Sequence, residues 1–248
     1  MARPREVNNT KDKPQRIAKR IASSGLCSRR EAEKWIEEGR VSVDGKILNS
    51  PAFVVSTNHL VLVDGIPIPE TPPIRLWRYH KPRGLITTHK DPQGRPTVFE
   101  RLPEKLPRVV SVGRLDFQSE GLLLLTTSGE LSRKLELPNT GWKRRYRVRV
   151  HGTVEPGPLK ELARGVKISG ITYGPIEASL DRQQGANAWL TMSLHEGKNK
   201  EIRRICEYLG LEVNRLIRLA YGPFQLGNLS AGNISEISKK VIGEQVII

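Results

Sequence analysis

Three residue types at three places could do chemistry in this 248-residue chain. Asp116 lies in a tight polar segment, Gly113-Arg114-Leu115-Asp116. The apolar runs Val109-Val110-Ser111-Val112 and Leu122-Leu123-Leu124-Leu125 flank it. A carboxylate on a loop fixed at both ends by core strands is well placed for chemistry, because loops on rigid scaffolds carry function. An ordinary turn residue is the competing reading. Tyr146 sits in Arg144-Arg145-Tyr146-Arg147-Val148-Arg149-Val150. It is either a core aromatic or a flat face for a base with a hydroxyl suited to proton transfer. Arg203 sits in the run from Glu196 to Cys206. It is either a solvated helix charge or a cation one turn into a helix. Lys198, Lys200 and Arg204 lie beside it, near a helix N-terminus whose N–H groups favour anions.

The elements that position these groups follow from periodicity. The two apolar runs around Asp116 predict buried strands. Tyr146, Val148 and Val150 alternate with Arg145, Arg147 and Arg149, which predicts a strand with one buried face. Asn199 is expected to cap a helix whose apolar positions are Ile202, Ile205, Cys206 and Leu209. Ser128 is expected to cap a helix over Gly129 to Leu137. Residues 156–164 suggest another helix, and 176–180, 188–194 and 214–219 suggest strands. Upstream, Ile74 to His80 alternates as a strand does. A turn is expected at Lys81-Pro82-Arg83-Gly84, then a second strand through Leu85 to Thr88. The loop His89 to Pro96 reads as plain surface or as an RNA contact. Many neighbouring strands without strict strand–helix alternation argue for α+β with a largely antiparallel mixed sheet flanked by helices.

Residues 14–65 read as a separate small unit of two helices on a short sheet. Pro14 is placed in the first turn of a helix, with Asp12 or Lys13 near its cap. Ile17, Ala18, Ile21 and Ala22 fall at helical spacing, and Gly25 ends the run. Ser28-Arg29-Arg30-Glu31 has the capping-box pattern. Asp44-Gly45 and Asp64-Gly65 are hairpin signals. Arg16, Lys19, Arg20, Arg29, Arg30 and Lys34, joined by Arg40, form a basic face expected to contact RNA phosphates. Residues 66–73 carry four prolines and read as a semi-rigid linker. The expected organisation is a basic tail (1–13), the small unit (14–65), the linker (66–73) and a larger domain (74–248).

Lys and Arg number 41 against 26 Asp and Glu, a formal net charge of +15. Such an excess favours a polyanionic partner, nucleic acid before anionic membrane. No apolar stretch reaches the ~20 residues of a membrane span, and no helix pairs a strong apolar face with a basic one. The polar N-terminus has no apolar core of a secretory signal. It reads as a disordered tail or as an arm that orders on RNA. Cys27 and Cys206 lack His at ligand spacing, so no metal is expected, and a reduced cytoplasmic protein is the simplest inference. No GxGxxG or P-loop pattern appears, so no nucleotide cofactor is expected. No heptad pattern asks for a partner helix, and a monomer is expected.

The segment IAKRIASSGLCSRREAEKWIEEGRVSVDGKIL resembles the S4 RNA-binding domain, which implies structured-RNA binding without implying catalysis. Further on, GRLDFQSEGLLLLTTSGEL, RRYRVRV, EGKNKEIRRIC and RLIRLAYGPFQLGNL occur in that order. Together they resemble the pseudouridine synthases that act on small- and large-subunit ribosomal RNA. KDPQGRPTVFERLP fits the subgroup directed at the large subunit. The resemblance implies isomerisation of uridine in ribosomal RNA or a pre-ribosomal particle, without cofactor. It implies that Asp116 is the catalytic nucleophile and that Tyr146 stacks on the uracil. It implies that Arg203 pairs with the carboxylate, and that Leu216 and Arg114 line the pocket. Lys198 and Lys200 stand where the family often has Arg, which keeps charge but loses bidentate phosphate geometry. A small-subunit target and a non-catalytic ribosome-assembly protein are the competing functions.

Overall fold

The computed structural model describes residues 14–137 and 140–245. The expectations for the tail, and for Asp12 and Lys13 as caps, fall outside the described residues. The chain divides into two compact units. One runs to Ile74 and includes Pro107–Val109; the other is Arg75–Leu106 and Val110 onward.

The first unit is β1 (Gln15–Arg16), α1 (Ile17–Ser23), α2 (Arg29–Glu37), β2 (Val41–Val43), β3 (Lys46–Ile47), β4 (Val54–Val55), β5 (Val61–Val63) and β6 (Ile66–Pro67). Pro14 does not open the helix. Gln15 and Arg16 pair with β4, and the Ile17 N–H donates to the Phe53 carbonyl at 2.9 Å, so the chain is extended until Ile17. The capping box at Ser28 and Glu31 forms with both of its bonds. Asp44 and Asp64 have φ of 49° and 50°, and the glycines after them 81° and 78°. Two successive left-handed residues make the tight turn that joins β2 to β3 and β5 to β6. Ile66 and Pro67, expected in the linker, continue the sheet as β6. Ile17, Ile21, Ala32, Ile36, Val41, Val43 and Val61 bury the contact between helices and strands.

The second unit begins with β7 (Leu76–Lys81), β8 (Val110–Val112), β9 (Glu120–Thr126), α3 (Gly129–Glu136) and β10 (Arg144–His151). It continues with α4 (Pro156–Glu161), β11 (Val166–Ile168), β12 (Ile171–Tyr173), β13 (Ile176–Gln184), β14 (Asn187–Leu194) and α5 (Glu201–Tyr208). It ends with β15 (Glu212–Tyr221), β16 (Phe224–Gln225), β17 (Ile234–Ile237) and α6 (Lys239–Gln245). Among the described residues its main sheet has the order β13-β14-β10-β15-β9-β7-β17, with β16 on β15 and β8 on β9. Every pair in that sheet is antiparallel except β9 with β15. The expected largely antiparallel mixed sheet is therefore observed. The strand expected over Leu85 to Thr88 is not. Only Ile86 bridges to Thr97, and the Thr87 hydroxyl is turned inward to the Leu115 carbonyl.

Residues of β9 are buried throughout, as expected of a central strand covered on both faces. Leu122 and Leu124 pack with Leu131 and Leu135 of α3. Ser128 caps α3 by accepting from the Leu131 N–H. At the other end of the sheet, Tyr146, Val148 and Val150 pack with Ile202, Ile205 and Cys206 of α5. The two halves meet where β9 runs parallel to β15, through Glu120 opposite Ile217 and Gly121 opposite Arg218. Gly121 has φ of 105°, and a Cβ there would lie 2.6 Å from the Arg218 nitrogen. The close approach of these strands requires glycine.

Gly121→Ala is expected to lower stability by about 2–4 kcal/mol through backbone strain and overlap at this junction. In thermal unfolding the melting temperature of the variant should fall by several degrees. An unchanged melting temperature would show that the two halves of the sheet do not depend on this approach.

Candidate active site

Asp116 opens the turn Asp116-Phe117-Gln118-Ser119, which leads directly into β9. The Ser119 N–H donates to the Asp116 carbonyl at 3.0 Å. Further groups fix the turn. Thr87 bonds both the N–H and the carbonyl of Leu115. The Gly84 N–H donates to the Phe117 carbonyl at 2.8 Å. The Arg83 guanidinium bonds the Gln118 side chain at 2.8 Å. The ammonium of Lys81, fully buried, donates to the carbonyls of Ser119, Pro82 and Asp116 at 2.8, 3.0 and 3.1 Å. The Asp116 side chain remains exposed, and no described side chain hydrogen-bonds it. Its backbone is therefore held while its carboxylate stays open to a ligand.

Burial lowers the Lys81 ammonium to about 8. The carboxylates of Asp116 and Glu120 oppose that shift, and Arg218 adds to it. Glu120 is itself buried and takes Arg215 as its ion-pair partner. Lys81 was expected in the turn after β7. It ends the strand instead, and its side chain points at the carbonyls of the Asp116 turn. The sequence signal available for this was the position of a lysine at the end of an alternating run, just before Pro82. Periodicity ended the strand at His80 and left Lys81 in the turn, without revealing its partners.

Tyr146 and Leu216 are 9% and 6% exposed, and both belong to the apolar cluster beneath α5. Tyr146 pairs with Arg218 of β15, which pairs in turn with Gly121 of β9. Two strand spacings, about 10 Å, separate the ends of this row. Gly121 is five residues beyond Asp116. The sheet thus brings the tyrosine and the carboxylate into one region. Arg218 is 3% exposed, donates to the Leu122 carbonyl at 2.7 Å, and leaves its Nη2 without a partner. Arg114 is exposed on the approach to Asp116.

Arg203 is half-buried on α5. Its guanidinium donates to the carbonyls of Val213 and Gln118, at 3.2 and 3.3 Å. No ion pair joins it to Asp116. The Asp116 charge nonetheless reaches it, opposing the burial that lowers its pKa. Arg203 therefore fixes the Asp116 turn through the backbone. Asn199 is not the cap of α5. Lys200 holds that position with φ of 52°, and the Glu201 carboxylate accepts from the Lys198 N–H at 2.8 Å. The Lys198 ammonium is occupied by Glu196 and by the Thr172 carbonyl. Arg204 reaches the hydroxyl of Tyr173 at 3.5 Å, whereas Lys200 is exposed. Among the described residues no group of three or more His, Cys, Asp or Glu could hold a metal ion.

In the first unit Arg16, Arg29, Arg30 and Lys34 are exposed, and Lys19 and Arg20 are partly so. Arg20 bonds Thr71. Arg40 is held by both oxygens of Asp64 and by Glu38, over the ring of Trp35, so its charge is compensated within the unit. Lys34 lies 3.9 Å from Glu38.

Comparison with known proteins bears on both units. The family model described as RNA pseudouridylate synthase matches residues 75–208, and that of the S4 domain matches 15–67. The chain is 51% identical over 233 residues to an uncharacterised RNA pseudouridine synthase of Rickettsia prowazekii, covering 94% of this chain and 98% of that one. It is 40% identical over 233 residues to the ribosomal large subunit pseudouridine synthase B of Yersinia pestis, covering 91% and 73%. A crystal structure of a pseudouridylate synthase superposes with a TM-score of 0.65 at 25% identity, over 93% of this chain and 99% of that one. With a matching catalytic domain, a matching S4 domain and a relative 51% identical along 98% of its length, the chain belongs to the RNA pseudouridylate synthase family of enzymes.

Proposed function

We propose that this enzyme isomerises a uridine of large-subunit (23S) ribosomal RNA to pseudouridine, with Asp116 as the catalytic carboxylate. The observation that carries the reading is the rigid Asp116 turn, whose exposed carboxylate no described side chain hydrogen-bonds. The similarity to the Yersinia pestis enzyme supports the large-subunit target. The reaction breaks the bond from C1′ to uracil N1 and forms one from C1′ to C5. The C5 proton leaves and N1 gains one, so no group is lost and no electron is transferred. An ionised carboxylate serves by attack on C1′, by attack on the ring, or by removing a sugar proton. Tyr146 offers its ring to the unstacked uracil and its hydroxyl to the proton at C5. Leu216 supplies an apolar wall, and Arg114 a cation at the entrance. Arg203 and Lys81 hold the turn and balance the charge of Asp116.

Asp116→Asn should abolish pseudouridine formation on an unmodified 23S transcript, a loss of roughly 10³-fold or more, while RNA binding persists. Pseudouridine mapping reads the outcome. Equal activity in both proteins overturns the role of Asp116, and modification confined to a 16S transcript overturns the target.

The pH dependence has a definite sign. Lys81 titrates near 8 in the folded chain, against 10.5 as its ordinary value. A neutral amine has two N–H donors for three carbonyls, so the turn loosens as pH rises through 8. The single-turnover rate should fall with a midpoint near 8, and this limb should be missing in Lys81→Gln. Stability moves the other way. Between pH 8 and 10.5 the unfolded chain holds more protons at this group, so its contribution to stability rises with pH. A rate limb shared by both proteins would remove Lys81 from the account.

The S4 unit is proposed to supply phosphate contacts. Replacing Arg29 and Arg30 together by Gln should lower the slope of log affinity against log salt by roughly 1.5–2. An unchanged slope in a binding titration would show that this helix end does not touch RNA.

A further inference from the structure

Strand β10 carries Arg145, Arg147 and Arg149 on the face opposite Tyr146, Val148 and Val150, and all three are exposed. Strand pairing extends the pattern sideways. Arg149 lies between Trp189 of β14 and Arg215 of β15, and Trp189 lies opposite Arg182 of β13. The Arg147 guanidinium stands 4.6 Å from the centre of the Trp189 ring. Helices α4 and α5 pack on the other face, where Leu159, Ile202 and Ile205 join the apolar cluster.

The partners of these arginines are neutral. Arg145 bonds Gln225 at 2.8 Å, Arg182 bonds Gln184 at 3.2 Å, and Arg149 reaches Asn187 at 3.5 Å. Amide oxygens and an aromatic ring orient a guanidinium without cancelling its charge. Elsewhere in this unit the arrangement differs. Arg75, Arg95, Lys143 and Lys198 each take a carboxylate, and of the arginines named on this face Arg215 alone does so, through Glu120. Of the carboxylates of β13, Glu177 takes Lys143, and Asp181 accepts from the Thr191 hydroxyl and keeps its charge.

We propose that this open face of the sheet is a second phosphate-binding surface, which takes an RNA segment remote from the uridine being modified. Exposed cations recur along β10 at two-residue steps of about 7 Å. That is the order of the separation between neighbouring phosphates on a strand. The guanidinium fork suits phosphate oxygens, and pre-orientation lowers the entropy lost on binding. The proposal deepens the reading of RNA as substrate and rests on it.

The test uses the full chain with Arg147, Arg149 and Arg182 replaced together by Gln, and a second protein with Lys at the same positions. Each is titrated with an unmodified 23S transcript over a series of salt concentrations. The Gln protein should lose about 2–3 units of the log–log salt slope, and the Lys protein should keep most of it. A native slope in the Gln protein overturns the proposal. So does a Lys protein that falls as far as the Gln protein, since packing on Trp189 would then be the cause. Unchanged RNA binding with lost binding to polyglutamate would assign the face to an acidic protein and also overturn it. The titration reads binding rather than pseudouridine. A reduced slope without modification of 23S RNA therefore sinks the target and leaves this surface standing.

Discussion

The buried ammonium of Lys81 is the constraint on which the site depends. Three carbonyls, those of Pro82, Asp116 and Ser119, converge on it. Without that donor the carbonyls of Pro82 and Ser119 would lose a buried partner, at about 1–3 kcal/mol each, and that of Asp116 would keep the Ser119 N–H. Burying a cation carries its own penalty, visible in the lowered pKa. Three hydrogen bonds and the nearby charges of Asp116 and Glu120 offset it. The consequence is a separation of tasks. The backbone of the Asp116 turn is held by Lys81, Thr87 and Arg203, while no described side chain hydrogen-bonds its carboxylate. A carboxylate that held its own loop in place would have to break those bonds in order to react.

The sheet completes the arrangement by joining two differently covered halves. Helix α3 covers one face at the β8–β9 end, and α5 covers the opposite face at the β10–β14 end. The halves meet through a short parallel contact at which Gly121 allows the backbones of β9 and β15 to close on each other. Because Asp116 precedes β9 by one turn and Tyr146 lies one strand beyond β15, this junction sets their separation. Arg203 ties α5 to the same turn, so the helix, the sheet junction and the loop share one anchor point.

Much of this was legible in the residues, for local reasons. The run Leu122 to Leu125 announced a doubly covered strand. The alternation around Tyr146 gave its face, and Ser28 and Ser128 marked helix starts that the structure confirms. What stayed hidden depended on distant partners. Pro14 looked like a helix opener because the pairing of Gln15 and Arg16 with Val54 and Val55 is not a local signal. Asn199 looked like a cap because a left-handed lysine is an uncommon alternative. Leu85 to Thr88 looked like a strand because its composition does not reveal that Thr87 turns inward to Leu115. Lys81 was the costliest omission, since a lysine beside a proline reads as a surface turn until three carbonyls are found around it. Motif resemblance singled out Asp116, Tyr146 and Arg203, and periodicity alone would have left Tyr146 a core aromatic.

The distribution of charge bears on how such an enzyme reaches its substrate. Taking a base out of its stack costs a few kcal/mol, and Tyr146 and Leu216 are buried in an apolar cluster. Contacts far from the reacting base can supply the difference, because binding energy realised at a distance offsets distortion at the centre. The net charge of +15 is suited to that role only where it is not already compensated. Arg40, Arg75, Arg95, Lys143, Lys198 and Arg215 are taken up by carboxylates and serve the fold. The arginines at the start of α2 and on the open face of β10 are not tied up in this way. On the proposed reading, the cations that fold the chain and those that draw RNA toward Asp116 are largely different residues, so the grip on RNA can be tuned without disturbing the turn that does the chemistry.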